Sequence, residues 1–513
     1  MRQNCFRTRL SVPAFVILLG LASGPLAAQP TMLHPRLGVR QVVGGLNLPT
    51  ALAFIGPNDM LVLEKNTGRV QRVVNGALHS TALDLAVNNS SERGLLGIAL
   101  HPDFPSNPGV YLYWTCQAAP PPPDSPFFPT ETECGDVPAT GADSSDILAV
   151  PLRGNRVDRF VWNGAALVFD HNLIKLRAFQ SDGGPVPPGQ GDEGQPARGK
   201  HDGGVLAFGP DEKLYVFVGD LGRRGALQNL EFGPRAGDSG VTTPDDQFGG
   251  PAPDPSRLSG VILRLNDDGS TPLDNPFYTV GANIGGDTGA TVQKIFAYGF
   301  RNSFGMAFDG TSARLWLQEN GDDTFSEINL VEPGMNGGWI QFAGPSARIE
   351  QFKEMETTFG GRNLQQLRWP PTNIADTASD AMRRLFKLPG AHYSEPEFSW
   401  KWEVAPGGIG FMNSRALGRQ FEGSLFVGAG TPLLNGGYLF RFRLTGNRQK
   451  IAVSDPRLND RVADNLAKHE ITESESLLIG RDFGVVTDIE TGPNGNLFVV
   501  SLSGGAVYEI FGQ

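Results

Sequence analysis

The sequence predicts an all-β protein, a six-bladed β-propeller with long loop insertions between the blades. Two observations favour this fold class. Glycine and proline are abundant, at 66 and 39 of 513 residues, which is typical of a chain with many turns. The same two-strand pattern also recurs six times at irregular spacing. A propeller accommodates such repeats because it arranges its sheets in a ring that exposes only short edges.

Each repeat joins two alternating apolar runs through a turn of Pro, Asp, Asn or Gly, which is the pattern of a β-hairpin. In chain order the hairpins cover residues 50–65, 95–115, 204–220, 304–319, 409–430 and 487–502. Several continue into a further apolar run, as at 68–74, 437–444 and 506–512. We therefore expect six four-stranded blades around a central channel. Two tandem β-sandwiches are the alternative arrangement.

Four long insertions separate these hairpins, at residues 116–146, 179–200, 223–257 and 348–396. Loops of this length are usually either functional or poorly ordered. The apolar positions between 376 and 388 predict one short helix inside the fourth insertion. None of the insertions has the character of a separate domain.

The N-terminus has the pattern of a cleaved export signal. Arg2, Arg7 and Arg9 precede an apolar stretch from Val12 to Leu21, and small residues follow up to Ala28. The apolar stretch is shorter than the ~20 residues that span a bilayer. We expect removal of residues 1–28 and a periplasmic or secreted protein in which residues 29–513 form a single propeller domain, without a stable membrane span. A buried N-terminal helix is the alternative.

Cysteine usage and charge agree with export. Only Cys116 and Cys134 would remain after cleavage, and they bracket a proline-rich loop, which favours one disulfide over two free thiols. No Cys-x-x-Cys-His motif predicts an attached haem, so electrons from any redox reaction would pass to a separate acceptor. The net charge of -11 argues against a nucleic-acid partner. Oligomeric state is not predicted.

His201 and Asp220 are the first candidates for catalysis. His201 lies just before a hairpin and Asp220 directly after it, so the hairpin can bring the carboxylate to the imidazole. A carboxylate that fixes the tautomer of a histidine base is a common arrangement. Two glycines after His201 permit unusual backbone angles. The alternative is a histidine with only a structural role.

A second candidate group follows the turn Tyr298-Gly299-Phe300. Arg301 and Asn302 place a guanidinium and a carboxamide side by side, although a turn arginine that only caps backbone carbonyls is the alternative. The segment 319–323 (Glu-Asn-Gly-Asp-Asp) is an oxygen-rich turn of the kind that binds Ca²⁺, but its spacing does not match an EF-hand.

These segments together resemble the quinoprotein glucose/sorbosone dehydrogenase family. The resemblance rests on GLLGIALHPDF, HDGGVLAFGPDEKLYVFVGD, GVILRLNDDGSTPLDNPF, YGFRNSFGMAF and EINLVEPGMNGGW, and it extends from about residue 44 to 510. It implies a six-bladed propeller that oxidises an aldose to its lactone, with pyrroloquinoline quinone (PQQ) and Ca²⁺.

The resemblance also implies roles for individual residues. His201 matches the base that takes the sugar hydroxyl proton, and Asp220 matches the carboxylate that orients this base. Arg301 and Asn302 match the pair that contacts the quinone oxygens. Gly321 and Asp322 fall where backbone carbonyls hold the cofactor-bridging Ca²⁺.

The chain departs from the family pattern where the cofactor carboxylates would be held. Glu92 replaces a glutamine, and Val485 and Thr487 stand where two arginines usually grip PQQ. Asn413 stands where some members have a lysine. An arginine makes bidentate contacts that threonine cannot replace. We expect Glu92, Lys200, Arg301 and Asn302 at the cofactor, with Lys200 compensating in part for the missing arginines.

The favoured hypothesis is an exported oxidoreductase that transfers hydride from a sugar or related alcohol to a PQQ-type quinone. One alternative is a propeller that has lost PQQ and serves as a binding module, as hedgehog-interacting proteins do; those proteins share the Glu-Arg-Gly-Leu-Leu found here at 92–96. Another is a Ca²⁺-dependent hydrolase or lactonase that uses Glu92 and His201, an analogy of fold alone.

Overall fold

The computed structural model describes residues 29–89, 92–116, 154–176, 178, 201–221, 229, 258–358, 374–431 and 436–513. The predicted export signal and most of the first three predicted insertions lie outside these residues. So do Lys200 and Cys134, and the pairing of Cys134 with the buried Cys116 stays a prediction. No helix within the described part of the chain has both the length and the apolar character to cross a membrane.

The described strands form six sheets, each containing a run of four strands linked antiparallel. Sheets 1 and 2 are β3–β4–β5–β6 (Pro49–Gly56, Asp59–Glu64, Arg69–Val74, Ala77–Asp84) and β7–β8–β9–β10 (Leu95–Leu100, Gly109–Thr115, Asn155–Trp162, Leu167–Leu176). Sheet 3 contains β11–β12–β13–β14 (Leu206–Phe208, Leu214–Val218, Val261–Leu265, Ile295–Tyr298). Sheet 4 contains β15–β16–β17–β20 (Met306–Phe308, Leu315–Glu319, Thr324–Val331, Phe398–Trp402).

Sheet 5 contains β21–β22–β23–β26 (Pro406–Phe411, Leu425–Ala429, Tyr438–Leu444, Leu478–Arg481). Sheet 6 is β27–β28–β29–β2 (Val486–Thr491, Leu497–Ser501, Ala506–Gly512, Leu37–Gly44). The innermost strands β3, β7, β11, β15, β21 and β27 contact one another in that order, and β27 contacts β3. In sheet 6 the N-terminal β2 pairs with the C-terminal β29, so the two ends of the described chain join in one sheet.

The prediction of an all-β, propeller-like arrangement is confirmed, and each of the six predicted hairpins supplies the two inner strands of a sheet. The prediction of uniform four-stranded blades is wrong, because sheets 3, 4 and 5 carry extra strands. These are β18 (Met335–Asn336), β19 (His392–Tyr393), β25 (Val462–Ala463), β1 (Thr31–Met32) and β24 (Ile451–Ala452). Each is two residues long, too short to produce an alternating pattern that the sequence could reveal.

Helices are short and lie outside the ring of inner strands. They are α1 (Tyr278–Ile284), α2 (Gly286–Val292), α3 (Ile349–Thr358) and α4 (Ala378–Arg384), with 3₁₀ turns at Ser346–Arg348, Pro456–Leu458 and Ser474–Leu477. Helix α4 confirms the short helix predicted within 376–388. The Thr377 side chain caps it by accepting from the Asp380 backbone N–H.

Apolar side chains between neighbouring sheets form the core. Trp400 of sheet 4 packs against Phe440 and Phe442 of sheet 5, Trp316 of sheet 4 belongs to the same cluster, and all four are fully buried. Burial of a large apolar side chain contributes about 1.5–3 kcal/mol each. This packing makes a rigid scaffold for the segments that connect the strands.

Candidate active site

The segments that precede three neighbouring inner strands meet at one end of the ring. Glu92 precedes β7, His201 precedes β11, and Asn302 precedes β15. The Glu92 carboxylate accepts from the His201 backbone N–H at 2.8 Å and from Asn302 Nδ2 at 3.0 Å. The Asp220 backbone N–H donates to the Arg301 carbonyl at 2.8 Å. Residues far apart in sequence are thereby held around one mouth of the channel.

His201 and Asp220 form the pair that the sequence predicts. His201 Nδ1 lies 2.6 Å from Asp220 Oδ1, and both side chains are buried. The other oxygen of Asp220 accepts from Trp339 Nε1 at 2.9 Å. Because a carboxylate can only accept, Nδ1 carries the proton and Nε2 is left as the basic nitrogen. Both carboxylate oxygens of Asp220 are hydrogen-bonded, so Asp220 can hold the imidazole in one orientation.

Local backbone geometry explains why this segment needs glycines. His201 has a left-handed backbone with φ of 57°. A Cβ on Gly219 would meet the His201 carbonyl oxygen at 2.0 Å, so only glycine lets the two segments approach this closely. The adjacent Asp202 is buried and accepts from Asn155 Nδ2 at 2.9 Å, which ties the histidine segment to sheet 2.

Burial lowers the pKa of His201 below its ordinary 6.5, and the nearby positive charge of Arg301 lowers it further. Asp220 acts in the opposite direction but does not reverse the shift. A buried histidine with this balance stays neutral at pH 7, as a general base must.

Arg301 is buried beside the histidine and fixed by three contacts. Its Nη2 donates to Asp322 at 2.8 Å, its Nη1 donates to the Asn320 carbonyl at 2.9 Å, and its backbone N–H donates to Glu319 at 2.6 Å. Its guanidinium lies 5.7 Å from the centre of the Trp339 ring. Arg301 Nε and Asn302 Oδ1 are buried without a hydrogen-bond partner among the described residues.

The turn that the resemblance assigns to Ca²⁺, through the carbonyls of Gly321 and Asp322, contacts two cationic side chains. The Asp322 carbonyl accepts from Lys468 Nζ at 3.0 Å, and its side chain pairs with Arg301. Lys468 also pairs with the carboxylate of Asp323. In the described part of the chain, no group of three His, Cys, Asp or Glu side chains is placed to hold a metal ion.

A cavity of about 650 Å³ lies along the inner strands. Its walls are mainly apolar, and Lys65, Glu92, Val485 and Thr487 line it at the same mouth. Thr487 Oγ1 donates to the Pro49 carbonyl at 3.2 Å, and the Val485 N–H donates to Ser503 Oγ at 2.9 Å. Where the family pattern has two arginines, the cavity wall therefore carries the uncharged side chains of Val485 and Thr487.

Asn413 lies at the other end of the cavity. It follows β21, and its N–H donates to Oγ1 of Thr491, the last residue of β27, at 3.0 Å. His201 and Arg301 instead precede their inner strands. The expectation that Asn413 occupies the place of a cofactor-binding lysine is therefore wrong, because it is separated from the mouth by the length of an inner strand.

Three residues near the mouth were not among the predicted site residues. Trp339 ends the quoted segment EINLVEPGMNGGW, and an indole N–H in such a motif was a usable signal for a partner of a buried carboxylate. Lys65 follows the second strand of the first hairpin, and burial lowers its pKa. Lys468 lies in an irregular segment with no pattern that points to the site.

The chain is similar to several known sugar dehydrogenases. The chain is 24% identical over 489 residues to the aldose sugar dehydrogenase of Escherichia coli K12, covering 95% of each chain. It is 27% identical over 307 residues to quinoprotein glucose dehydrogenase B of Acinetobacter calcoaceticus, covering 59% of this chain and 52% of that protein. A crystal structure of a Thermus thermophilus oxidoreductase (glucose dehydrogenase) superposes with a TM-score of 0.54 at 25% identity, covering 93% of this chain and 100% of the other.

The sequence profile of the glucose/sorbosone dehydrogenase family matches residues 46–121 and 192–375, about half of the chain. The match includes the segments that carry Glu92, His201, Asp220 and Arg301. The chain therefore belongs to the glucose/sorbosone dehydrogenase family, and the prediction that it is an enzyme of the oxidoreductase class is confirmed at the level of the family.

Proposed function

We propose that this protein is an exported sugar dehydrogenase that oxidises the hemiacetal hydroxyl of an aldose, or a related alcohol, with PQQ as its cofactor. The observation that carries the proposal is the buried His201–Asp220 pair, 2.6 Å apart, beside the buried Arg301. The relatives named for quinoprotein glucose and aldose sugar oxidation support the substrate class and the cofactor.

The residues at the mouth fit the reacting end of such a cofactor. Arg301 Nε is a buried donor that a quinone oxygen could accept from, and Asn302 Oδ1 is a buried acceptor for an N–H or O–H group of the cofactor or substrate; neither atom has a partner among the described residues. Such groups are costly unless a ligand satisfies them. Lys65 is the cation that lines the cavity within the described part of the chain, and it would face the cofactor carboxylates. Lys200, outside the described residues, stays a proposed second contact.

Bound PQQ supplies an ortho-quinone that accepts two electrons as hydride. The protein's part begins with His201 Nε2, which takes the proton of the substrate hydroxyl and so favours loss of hydride from the same carbon. Asp220 holds Nδ1–H and stabilises the positive charge that develops on the imidazole. Arg301 places a fixed positive charge where negative charge accumulates during the reaction.

Further parts of the proposal follow from the sequence. Residues 1–28 would be removed on export to the periplasm or exterior, residues 29–513 would form one propeller domain, and Cys116 would pair with Cys134. A separate electron acceptor would reoxidise the cofactor, because no haem attachment motif is present.

The test is a calorimetric titration of residues 29–513 with PQQ, repeated on Arg301→Ala. We expect saturable binding in the native protein and at least a tenfold weaker affinity in the variant. Arg415→Ala is the matched control, because Arg415 is an exposed arginine paired with Glu422. Thermal unfolding of both variants verifies that they are folded.

Absence of PQQ binding in the native protein would overturn the proposal. A screen for lactone hydrolysis and for protein or glycan partners, both without quinone, would then separate the hydrolase and binding-module alternatives. Binding accompanied by aldose-dependent reduction of an artificial electron acceptor would support the dehydrogenase.

A further inference from the structure

Lys468 is held rigidly at the mouth although it lies in an irregular segment. The segment follows β25 and is fixed to the end of β20. Asn465 accepts from the Trp402 N–H at 2.8 Å and donates to the Trp402 carbonyl at 3.1 Å. The His469 N–H donates to the Glu403 carbonyl at 2.7 Å. With residues on both sides of it fixed, the Lys468 side chain is directed towards the turn after β16.

The ammonium group of Lys468 contacts the turn that was predicted to bind Ca²⁺. Nζ donates to the backbone carbonyl of Asp322 at 3.0 Å and pairs with the carboxylate of Asp323. The Asp323 side chain is fully buried, and that of Lys468 is only 33% exposed. The contact is therefore a partly buried ion pair in which one partner has no access to solvent, unlike a weak surface pair.

Each of the two aspartates of this turn pairs with a cation. Asp322 pairs with Arg301, and Asp323 pairs with Lys468. A divalent ion at this turn would add positive charge beside Lys468 and the buried Arg301, which already pair with the two carboxylates of the turn.

Calcium needs six to eight oxygen ligands at about 2.3–2.6 Å. The Asp322 carbonyl is already occupied by Lys468, and the Asp322 and Asp323 carboxylates are engaged by cations. Because the resemblance assigns Ca²⁺ to the backbone carbonyls of Gly321 and Asp322, a lysine ammonium bound to one of them does not fit the Ca²⁺ that the family resemblance implies.

We propose that Lys468 supplies the positive charge that a bound Ca²⁺ would otherwise supply at this turn, so that the cofactor site forms and works without added calcium. The link to the cofactor rests on the proposed function; the link between Lys468 and the turn does not. A lysine ammonium is a compact point charge with three donors, which suits it to a carbonyl and a carboxylate that lie side by side.

The test begins with native protein treated with EGTA and then dialysed. Calorimetric titration with Ca²⁺ is expected to show no stoichiometric binding that depends on Asp322 and Asp323, and PQQ affinity is expected to change less than about twofold when EGTA is present. Stoichiometric Ca²⁺ binding that Asp323→Asn abolishes would overturn the proposal. Loss of PQQ binding in EGTA that Ca²⁺ restores would overturn it as well.

The Lys468→Ala variant gives a second test of the proposal. We expect this variant to bind PQQ about tenfold more weakly in EGTA and to recover when Ca²⁺ is added, because the cation can then occupy the vacated carbonyl and carboxylate. Its thermal midpoint should also rise with Ca²⁺, a readout that needs no cofactor. Lys450→Ala, at an exposed lysine, should show neither effect. An unchanged PQQ affinity and a Ca²⁺-insensitive midpoint in Lys468→Ala would contradict the proposal.

The two proposals fail separately. If PQQ binds under no condition, the proposed function falls, while Ca²⁺ titration and thermal unfolding still decide the role of Lys468. If the Lys468→Ala variant does not fold, the native protein in EGTA remains decisive, and Lys468→Met, which keeps most of the side-chain volume, replaces the alanine variant.

Discussion

The two sides of the channel mouth differ in how completely their polar groups are fixed. On the side of sheets 3 and 4, His201, Asp220 and Arg301 are all buried, and each is held by at least two hydrogen bonds within the described structure. On the side of β27, Val485 and Thr487 present no charge to the cavity. The groups proposed for proton transfer and for stabilisation of charge lie on one side, and on the opposite side the carboxyl groups that β27 adds to the cavity wall are Asp488 and Glu490, beyond Val485 and Thr487.

Under the proposed function, this difference assigns the reaction chemistry and the anchoring of the ligand to separate elements. Replacement of one member of the His201 network leaves a buried polar group unpaired, which costs about 1–3 kcal/mol or more. Replacement of Val485 changes only a side chain at the cavity wall, and replacement of Thr487 removes in addition one partly buried hydrogen bond to the Pro49 carbonyl. The first side is therefore strongly constrained by its own energetics, and the second can change with much less cost to the fold.

Removal of the proposed base should have the largest effect. For His201→Ala we expect kcat to fall about 10³-fold, within the range of 10²–10⁴ that general-base catalysis contributes. PQQ affinity should change much less, because the imidazole acts on the substrate. His79→Ala, at an exposed histidine, is the matched control. Steady-state kinetics with an aldose measures the effect, and a variant with near-native kcat would show that His201 is structural.

Asp220→Asn should have the next largest effect, about 10²-fold in kcat, because an amide can favour the wrong imidazole tautomer. In the native protein kcat/KM should rise with pH as His201 loses its proton, with a midpoint below 6.5 because burial and Arg301 lower its pKa. Asp220 raises that pKa, so its removal should shift the midpoint to still lower pH. A pH–rate profile that falls in amplitude without this shift would mean that Asp220 only supports the fold.

How much of this could be predicted from the sequence depends on the type of feature. The six hairpins were predictable because each combines period-2 apolar alternation with turn residues over a dozen or more positions. The His201–Asp220 contact was predictable because the hairpin between them fixes their separation. Trp339 and Lys468 reach the same site from segments 119 and 146 residues away from Asp220 and Asp322, respectively. Their contacts depend on the closed ring of sheets, and local periodicity contains no information about it.

The opposite error arose with Asn413, and the turn predicted to bind Ca²⁺ shows what composition leaves open. A motif alignment placed Asn413 near the cofactor, but its position after β21 rather than before it puts it at the other end of the inner strands. The sequence 319–323 has the oxygens that Ca²⁺ prefers, yet it does not show that Arg301 and Lys468 already occupy them. Composition indicates which ligand atoms are available, whereas their occupancy depends on tertiary packing.

An arginine introduced on β27 should give that side of the cavity a charged group to contact the cofactor. For Thr487→Arg we expect about tenfold tighter PQQ binding, because a charge-assisted hydrogen bond contributes about 1.5–3 kcal/mol before the side-chain entropy is subtracted. The gain should shrink at high salt. Asn413→Arg places the same charge at the other end of the cavity and should leave affinity unchanged. Equal effects of both variants in calorimetry would indicate attraction by net charge and not a specific contact.

The smallest effect is expected at Glu92, the residue that joins the segment before β11 to the segment before β15. Glu92 Oε2 accepts both the His201 N–H and the Asn302 amide, so the single carbonyl oxygen of a glutamine can keep both bonds while the negative charge is lost. For Glu92→Gln we therefore expect kcat within about threefold of the native value and PQQ affinity a few-fold tighter, because repulsion of the cofactor carboxylates is removed. Glu92→Ala removes the acceptor as well, and it should lower kcat and the thermal midpoint together. If Glu92→Gln instead lost activity as strongly as Glu92→Ala, the negative charge itself would be needed at the mouth, and Glu92 would belong with His201 and Arg301 to the reacting side of the site.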